Sequence, residues 1–272
     1  MSEIRASVER CVSDGMLSWS DQLTTARQYG VSVAYIEAVA LERGILPARY
    51  QRNRNMLNCR DQLALFSSHV AVVGCGGLGG YIIEELARIG IGHLTVIDPD
   101  IFEEHNLNRQ ILSTPADLGH DKVAVAARRV AEINPAVTVT PIVKALSRNN
   151  GCGLLAGAQV VVDGLDNIDT RLELSEVCDL LELPLVHGAI AGWYGHVTSQ
   201  MPGDKSLQTL YGQRQRPKGV EGSLGNPSFT PSLIASVQVA EVIKILLNHG
   251  EPLRHRLFTI DLLDMECIET PL

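Results

Sequence analysis

The clearest pattern in the chain is an apolar run followed by a glycine-rich turn and an amphipathic helix, over residues 70–98. Three valines within 70–73 begin a run of strand length. Apolar residues then recur at helical spacing along one stripe: Leu78, Ile82, Leu86 and Ile89. A second apolar run, 94–97, ends at Asp98. This pattern predicts a strand–helix–strand unit, the layout in which open parallel sheets bind nucleotides.

The rest of the chain alternates between strand and helix patterns. The segments that follow the first unit are helix 121–134, strand 137–143, strand 159–162 and helix 168–181. Apolar runs at 185–190 and 193–199 flank Gly192, which predicts an antiparallel hairpin. The last predicted elements are a buried helix over 233–247 and strands over 257–261 and 266–269. The predicted fold class is α/β, with a Rossmann-like, mostly parallel sheet that continues into antiparallel strands.

The first 48 residues have the pattern of short helices. Ser20 and Ser32 are candidate helix caps, and Gly30 breaks the pattern between them. Two short helices around a glycine resemble a helix-turn-helix, but six acids outnumber four arginines over 1–48, whereas a DNA-reading module is basic. We therefore predict a small helical appendage, 1–48, for packing or partner docking, followed by an α/β domain over 49–272.

Composition narrows the classes of partner. The formal net charge of −8 argues against broad binding of nucleic acid or anionic membrane, and the hydrophobic fraction of 45% suffices for a core. We expect no segment as long as a membrane span and no signal peptide, so the expected location is the cytoplasm. The six cysteines include no C-x-x-C pair, so no zinc site is expected.

Residues with candidate chemistry follow the predicted strands. Gly74, Gly76 and Gly79 fit G-x-G-x-x-G, in which the backbone approaches phosphate and a helix N-terminus adds positive charge. The plain alternative is a tight turn that packs helix on sheet. Asp98 stands where such units place the acid that binds ribose. Lys122 lies in a first helical turn, where a cation is unfavourable unless an anion is near, so it is a candidate phosphate ligand.

Four other stretches each have two interpretations. The loop 99–112 holds two asparagines and an arginine, which suit either a ligand site or an Asn-rich turn. The acids within 163–169 either cap the next helix or supply a magnesium ligand. The arginines between 49 and 60 are, taken alone, typical of a solvated helix face. The Gly- and Pro-rich residues 201–230 predict no long element, and such a loop is either a lid or a path for substrate, or it has no fixed structure.

Several stretches together resemble the MoeB/ThiF/HesA family of adenylyltransferases, which are relatives of the ubiquitin-activating enzymes. They are RYQRN 49–53, VVGCGGLGG 72–80, LTVIDPD 94–100, NLNRQ 106–110, LGHDK 118–122, INP 133–135 and DGLDN 163–167, the last followed by Arg171. The segment PLVHGAIAGWYG, 184–195, and the late buried helix also look like that family. The resemblance covers roughly residues 47–270 in the family's order, and several motifs that agree are more specific than any one.

The resemblance implies a reaction. Such enzymes bind Mg-ATP and the C-terminal Gly-Gly tail of a small ubiquitin-like sulfur-carrier protein. The tail carboxylate attacks the α-phosphorus, an acyl-adenylate forms and pyrophosphate leaves. The enzyme's contribution is mainly alignment and charge neutralisation. The implied context is sulfur transfer for molybdenum or tungsten cofactor, thiamin or a related product, and the implied assembly is a homodimer.

The resemblance also implies roles for particular residues. The glycines implied to line the nucleotide are Gly74, Gly76, Gly77 and Gly79. The other implied nucleotide ligands are Asp98 (for the ribose hydroxyls), Asp100, Asn106, Arg109, Gln110, Lys122 and Asn167. The implied catalytic residues are Arg52, Arg109, Lys122 and Asp166. Of these, Asp166 would bind magnesium, and Arg52 would reach across the dimer interface as an arginine finger.

Two departures from the family pattern limit what the resemblance implies. Many relatives carry paired C-x-x-C motifs that bind structural zinc, and this chain has none. Some relatives carry a cysteine in the long loop that receives the activated tail, whereas residues 200–266 contain no cysteine. We therefore expect the enzyme to stop at the acyl-adenylate and to leave sulfur transfer to a separate donor.

Three other functions compete with this one. A tRNA-modifying dehydratase that acts through an adenylated carboxylate would need a basic surface, which the acidic balance disfavours. A catalytically silent ATP-binding scaffold would have lost phosphate ligands, yet all four implied catalytic residues are present. An NAD oxidoreductase needs a group that handles hydride beside a nicotinamide. Only His187 and His196 are nearby, and each is more typical of a packed or capping histidine.

Overall fold

The computed structural model describes residues 2–212 and 224–272, and it begins with a group of short helices. The elements of this group are α1 Ser2–Arg10, β1 Met16–Leu17, α2 Trp19–Tyr29, α3 Val33–Glu42 and β2 Leu46–Pro47. The two short strands pair in parallel. The helices enclose an apolar core of their own, in which Val8, Leu17 and Ile36 are fully buried. The predicted helical character of this region is confirmed, and the domain boundary at 48/49 stays a prediction.

One of the two predicted helix caps in this group is correct. The Oγ of Ser32 accepts the Tyr35 N–H at 3.1 Å and caps α3, as predicted. The cap of α2 is Ser18 and not Ser20, because the Ser18 Oγ accepts the Asp21 N–H at 3.1 Å. The Ser18 hydroxyl also donates to the Asp21 carboxylate at 2.6 Å. An acid three residues after Ser18 therefore selects the earlier serine.

The remaining strands of the described residues form one eight-stranded sheet. They are β3 His69–Val73, β4 His93–Ile97, β5 Thr138–Ile142, β6 Val160–Asp163, β7 Leu185–Ala191, β8 Tyr194–Gln200, β9 Arg256–Asp261 and β10 Glu266–Pro271. The order across the sheet is β10-β9-β8-β7-β6-β3-β4-β5. The five strands from β7 to β5 in this order are parallel, and β8, β9 and β10 add antiparallel to them. The predicted fold class and the predicted hairpin are confirmed.

Helices cover both faces of this sheet. They are α4 Cys59–Phe66, α5 Gly77–Ile89, α6 Lys122–Ile133, α7 Arg148–Leu154, α8 Ile168–Leu180, α9 Ser206–Tyr211 and α10 Phe229–Leu247. Successive residues of a strand point to opposite faces. Val70 and Val72 of β3 accordingly join the core beneath α5, α6 and α10, while Ala71 and Val73 join the core beneath α7, α8 and α9. The result is a sheet that is buried on both sides.

The helix α10 is long and apolar enough to cross a membrane, with 19 residues and a mean hydropathy of 1.5 over its most apolar window. The expectation that no segment reaches this length is therefore wrong by length and hydropathy. The helix packs against α5 and against β7 and β8. Its apolar side chains contribute to the core beneath α5, as the side chains of a buried helix do.

The irregular stretch predicted over 201–230 is described in part. It contains the six-residue helix α9 and the first residues of α10. The hypothesis of a lid or substrate path concerns mainly residues 213–223, which lie outside the described residues.

The register of the parallel strands brings several strand ends to one edge of the sheet. Val73 of β3 pairs with Ile97 of β4 and with Asp163 of β6, and Ile97 pairs with Ile142 of β5. The residues that directly follow these four ends are Gly74, Asp98, Val143 and Gly164. Ligands of open parallel sheets bind at this carboxyl edge, so it is the place to search for a site.

Both outer strands of the sheet carry a proline. Pro141 lies inside β5 at one edge, and Pro271 ends β10 at the other edge. All six residues of β10 are exposed, and Glu266 and Glu269 are among them. Proline cannot donate a ladder hydrogen bond, and charged residues discourage pairing with another strand. Both edges therefore carry features that stop the sheet from extending.

Candidate active site

A cavity of about 300 Å³ opens at the carboxyl ends of the parallel strands. Its walls come from the turns after β3, β4, β5 and β6 and from the start of α6. Ten residues that the sequence implied for the site line this cavity: Gly74, Gly76, Gly77, Asp98, Asp100, Arg109, Gln110, Lys122, Asp166 and Asn167. Three others do not line it: Arg52, Gly79 and Asn106.

The turn between β3 and α5 is made of glycines because three backbone segments meet there. Gly74 has a φ of 95°, and a Cβ on it would lie 2.6 Å from the Gly164 carbonyl oxygen. A Cβ on Gly79 would lie 1.8 Å from the Gly74 carbonyl oxygen. Gly79 therefore holds α5 against the turn and does not face the cavity, contrary to its implied role. Gly76 and Gly77 do line the cavity, so the N-terminus of α5 and its partial positive charge lie at the site.

Asp98 is buried at the end of β4 and fixes the backbone around it. Its Oδ2 accepts the Cys75 N–H at 2.6 Å, and its Oδ1 accepts the Asp100 N–H at 2.8 Å. Burial raises the pKa of Asp98, and the bond from Cys75 and the charge of Lys122 act against that rise. Each carboxylate oxygen keeps a lone pair for a ligand hydroxyl, so the geometry suits the ribose role that the resemblance implies.

Lys122 is the first residue of α6, and its side chain is largely buried. Its Nζ lies 3.1 Å from Oδ2 of Asp100, whose side chain is mostly exposed. The anion that the sequence analysis expected beside Lys122 is thus supplied by the chain itself. The ammonium group has three N–H donors, so Lys122 can contact a phosphate group in the cavity while it also contacts Asp100.

Arg109 and Asn106 come from one loop but have different surroundings. The Nη1 of Arg109 donates to the His105 carbonyl oxygen at 2.8 Å and to the Asn108 side-chain oxygen at 2.9 Å, and Arg109 lines the cavity. The Oδ1 of Asn106 accepts the Glu103 N–H at 2.9 Å, which closes a short 3-10 turn. Asn106 is buried and lies outside the cavity lining. The structure therefore does not bring Asn106 to the position that its implied role as a phosphate ligand requires.

Gln110 is buried against the glycine turn. Its Nε2 lies 3.6 Å from the position of a Cβ on Gly76, and its Oε1 has no hydrogen-bond partner within residues 2–212 and 224–272. An unpartnered buried acceptor costs free energy until a donor reaches it. A triphosphate offers acceptors only, so this oxygen fits a donor group of a ligand, and rotation of the amide would present the NH₂ to phosphate instead.

The acids after β6 have separate tasks. Asp163 is fully buried in an ion pair with Arg171 and a 2.6 Å contact to Nδ1 of His187, so it is not open to a ligand. Asp166 is exposed and lines the cavity. Asn167 lines the cavity too, but its Oδ1 accepts the Thr170 N–H at 3.1 Å and caps α8. The helix cap is therefore an asparagine and none of the neighbouring acids.

Magnesium fits this site as an ion held mainly by the nucleotide. The described residues contain no cluster of three His, Cys, Asp or Glu side chains that could hold a metal by themselves. Magnesium commonly takes one or two carboxylates together with phosphate oxygens and water. Asp166 offers one carboxylate at the cavity wall, which is enough for an ion whose other ligands are phosphate oxygens and water.

A buried cluster of rings lies behind Asp163. The Nε2 of His187 lies 3.0 Å from the Tyr211 hydroxyl, which lies 3.1 Å from Nε2 of His196. Burial lowers the pKa of His187 although Asp163 acts against it, so the ring is neutral near pH 7. A carboxylate at Nδ1 requires the proton on that nitrogen, so Nε2 is an acceptor that faces the Tyr211 hydroxyl and, at 3.3 Å, Nε2 of His196. His187 is a packed residue, as the sequence analysis expected.

Among the residues of the cavity lining that were not predicted from the sequence are Lys144 and Asn226. Lys144 follows β5 by two residues, and the rule that ligands bind at strand ends would have found it once the strand order was known. Asn226 lies in the irregular stretch before α10, where no local pattern marks it. Its Oδ1 is buried and has no hydrogen-bond partner among the described residues, as is true of Oε1 of Gln110.

Arg52 lies away from the cavity of its own chain. It is exposed in the turn that follows the 3-10 helix Ala48–Tyr50. A role in the site requires a second chain, so the arginine finger stays a prediction. Two cysteines are fully buried, Cys75 in the glycine turn and Cys178 in α8. Burial, with Asp98 adding to it, raises the pKa of Cys75 well above the usual thiol range, as expected of a packing residue.

Comparisons with known proteins show which family the chain resembles. The model of the ThiF family matches residues 50–272. The SAMP-activating enzyme E1 of Haloferax volcanii is 38% identical over 227 residues, 82% of this chain and 84% of the relative. The molybdopterin-synthase adenylyltransferase of Salmonella typhimurium is 34% identical over 216 residues, 78% of this chain and 86% of the relative.

One solved structure extends the comparison of the fold. The E. coli tRNA N6-threonylcarbamoyladenosine dehydratase in complex with ATP matches 74% of this chain and 94% of its own, with a TM-score of 0.64. At 24% identity this likeness concerns the fold alone.

The fold and the cavity define a nucleotide-binding α/β enzyme of the adenylyltransferase class. The chain belongs to the ThiF family, and the resemblance found in its motifs is confirmed. Relatives that match most of both chains are adenylyltransferases by name, which confirms the predicted class of enzyme.

Proposed function

We propose that this enzyme adenylylates the C-terminal Gly-Gly carboxylate of a small ubiquitin-like sulfur-carrier protein and releases pyrophosphate from ATP. The chain acts as a homodimer in the cytoplasm, and a separate donor later supplies sulfur to the acyl-adenylate. Relatives named for a SAMP, for molybdopterin synthase and for a sulfur-carrier protein support this class of substrate.

One observation supports the proposal most strongly. The N-terminus of α5, a ribose-type carboxylate at Asp98 and two cations, Lys122 and Arg109, line one cavity of a ThiF-family chain. The helix N-terminus and the two cations suit phosphates, and the carboxylate suits a ribose. These groups suffice for an enzyme that works by stabilising charge on a bound nucleotide, because such an enzyme needs no covalent nucleophile.

The reaction transfers the adenylyl group to a carboxylate. An oxygen of the tail carboxylate forms a bond to the α-phosphorus, and the bond from that phosphorus to the bridging oxygen of pyrophosphate breaks. Arg109 and Lys122 neutralise the charge that develops on the phosphate oxygens, while Asp98 holds the ribose. Asp166 would hold magnesium, whose chemistry is to neutralise phosphate charge. Arg52 of one chain would serve the site of the other, since its planar fork can hold two phosphate oxygens.

The test is ATP–pyrophosphate exchange by the purified protein, with and without a panel of Gly-Gly-tailed carrier proteins. We expect exchange that requires one carrier and that stops when its terminal glycine is removed. Exchange without any carrier, or none with any carrier, contradicts the proposal.

A second candidate is a dehydratase that adenylates a carboxylate on a tRNA base. The similar fold of an E. coli tRNA dehydratase is the observation in its favour. The net charge of −8 is the observation against it, because a tRNA carries a dense negative charge. Exchange that requires tRNA and no carrier protein would select this function.

A further inference from the structure

A buried polar cluster connects the N-terminal helices to the turn that carries Arg52. We call it the Glu37 cluster, and its members are Glu37, Arg49, Tyr50 and Asn134. The Tyr50 hydroxyl donates to Oε1 of Glu37 at 2.7 Å and accepts from Nδ2 of Asn134 at 2.9 Å. Glu37, from α3, is 0% exposed and Tyr50 is 1% exposed, so water cannot replace either bond.

Burial of the Glu37 carboxylate costs free energy. Burial raises its pKa, and only Arg49 and the Tyr50 hydroxyl act against that rise. Its Oε2 has no hydrogen bond in the part of the chain that the structure describes, and it lies 3.8 Å from Nε of Arg49. The Arg49 guanidinium lies 4.9 Å from the centre of the Trp19 ring. An apolar residue in place of a buried ion pair is often at least as stable. The arrangement therefore points to a geometrical task for the carboxylate.

The Glu37 cluster is fixed to the two helices that begin at the cavity. Nδ2 of Asn134, directly after α6, also donates to the Ala87 carbonyl oxygen of α5 at 2.9 Å. At the end of α5, a Cβ on Gly90 would lie 2.6 Å from the Tyr50 hydroxyl, so the ring is packed directly on that turn. The N-terminal ends of α5 and α6 carry Gly77 and Lys122, which line the cavity. Tyr50 therefore has a defined position relative to the site.

The turn after Tyr50 takes its position from that residue. The Asn53 N–H donates to the Tyr50 carbonyl oxygen at 2.9 Å, and the N–H groups of Met56 and Leu57 donate to the Asn53 carbonyl oxygen at 2.8 Å. Arg52 is exposed within these turns, two residues after the buried Tyr50. Tyr50 is the buried residue nearest to Arg52 in the sequence, and its carbonyl oxygen accepts the hydrogen bond that closes the turn around Arg52.

We propose that Glu37 is a positioning residue for adenylyl transfer: through Tyr50 it sets the place of Arg52. An N-terminal helix thereby contributes to a site that it does not touch. The inference rests on the proposed function, because Arg52 matters only if it acts in the partner's site.

The test compares four substitutions in the full chain by ATP–pyrophosphate exchange. Glu37→Leu, which removes the acceptor, is expected to lower kcat about ten-fold with little change in KM for ATP, because misplaced groups lose rate before affinity. Glu37→Gln keeps an acceptor oxygen and is expected to stay within about two-fold of the wild type. Glu42→Leu is the matched control, an exposed glutamate on the same helix, and should leave kcat unchanged.

The fourth substitution is Arg52→Ala, which decides whether Glu37 acts through Arg52. In that background Glu37→Leu should cause no further loss of kcat, because the two changes would then remove one shared effect. A further ten-fold loss in the Arg52→Ala background would overturn the proposal. So would an unchanged kcat in Glu37→Leu.

The rate of trypsin cleavage after Arg52 is a measurement that does not depend on the activity of the enzyme. Glu37→Leu is expected to speed this cleavage while cleavage at the exposed Arg148 stays the same. If Glu37→Leu does not fold, as judged by its Tm, Tyr50→Phe removes the hydroxyl and keeps the ring. Unchanged cleavage after Arg52 in a folded variant overturns the proposal, whereas the absence of exchange in the wild type contradicts the proposed function alone.

Discussion

Arg109 and Lys122 differ in how the chain holds them before a ligand binds. Lys122 is largely buried and paired with a carboxylate, while Arg109 donates to neutral oxygens of its own loop. An arginine bonded to neutral acceptors has little to lose when phosphate arrives. We therefore expect Arg109 to be the side chain that responds most to charge developing during transfer.

Arg109→Ala should lower kcat for pyrophosphate exchange by about 10²- to 10³-fold, the usual effect of removing one group that stabilises a transition state. The Tm should change little, because among the described residues the guanidinium donates hydrogen bonds to its own loop alone. The matched control is Arg128→Ala, an arginine exposed on α6 that pairs with Asp117 and lies outside the cavity lining. Normal turnover by Arg109→Ala would refute the role assigned to this side chain.

The sequence was informative for residues whose place follows from the backbone. Asp98 and Gly74 stand at strand ends, so the strand pattern alone brought them to the cavity. Asn106 and Asn167 belong to the same motifs, but their side-chain oxygens accept local N–H groups from Glu103 and Thr170. A short polar side chain has this choice between backbone and ligand, and the sequence does not reveal which it takes.

At the level of elements, the junction of β3, α5 and β6 determines the shape of the site. Gly74, Gly79 and Gly164 come from three segments whose backbones are close enough to exclude a Cβ at each position. The strand–helix–strand prediction was correct because a continuous apolar run of strand length is followed at this junction by apolar residues at helical spacing. The closeness of Gly164 was not predictable, since it depends on β6 lying beside β3.

Gly79→Ala should destabilise the protein by roughly 3 kcal/mol, the upper range for overpacking, because the new methyl group would meet a backbone carbonyl. The control is Gly153→Ala in α7, where a Cβ would meet nothing within 4 Å. That change should stabilise the protein by about 0.5–1 kcal/mol, because alanine suits a helix better than glycine. Chemical denaturation measures both, and equal effects would contradict the packing argument.

Across the whole molecule, strand order decides which distant residues share the cavity. Lys144 and Asn226 are far apart in sequence, and no local pattern relates them to the glycine turn. Long-range order also sets the environment of His187, which faces Asp163, His196 and Tyr211 from three elements, with the charge of Arg171 nearby. The eight-stranded order therefore had to be seen before these neighbours were known.

Stability should fall as the pH drops below the usual histidine pKa of about 6.5, with a slope of up to roughly 1.4 kcal/mol per pH unit. The pKa of His187 is lowered in the folded state, mainly by burial. Below the usual histidine pKa the unfolded chain binds a proton on His187 that the folded chain does not bind, so acid favours unfolding. Denaturation between pH 5 and 8 measures this slope.

His187→Gln should flatten that slope, because the glutamine side chain does not titrate. The control His249→Gln changes a half-exposed histidine and should keep the slope of the wild type. An equally steep slope in His187→Gln would assign the pH dependence to other groups.

If Arg52 serves the partner's site, two variants with strongly reduced but measurable activity should complement each other. Mixed Arg52→Ala and Asp166→Ala chains form hybrid dimers with one intact site, and random exchange should restore roughly a quarter of the wild-type exchange rate. Mass spectrometry of differently labelled chains verifies that subunits exchange. No recovery in proven hybrids would mean that Arg52 acts within its own chain or not at all.

The prolines at the two ends of the sheet limit how copies of this chain can assemble. Pro141 and Pro271 leave neither outer strand with a full row of donors, and Glu266 and Glu269 add like charges along β10. Two copies that met through β10 would bring acid against acid, and two copies that met through β5 would lack a hydrogen bond at each Pro141. A stable pair of subunits must therefore join through helices and loops, which leaves exposed turns such as the one with Arg52 available to cross from one copy to the other.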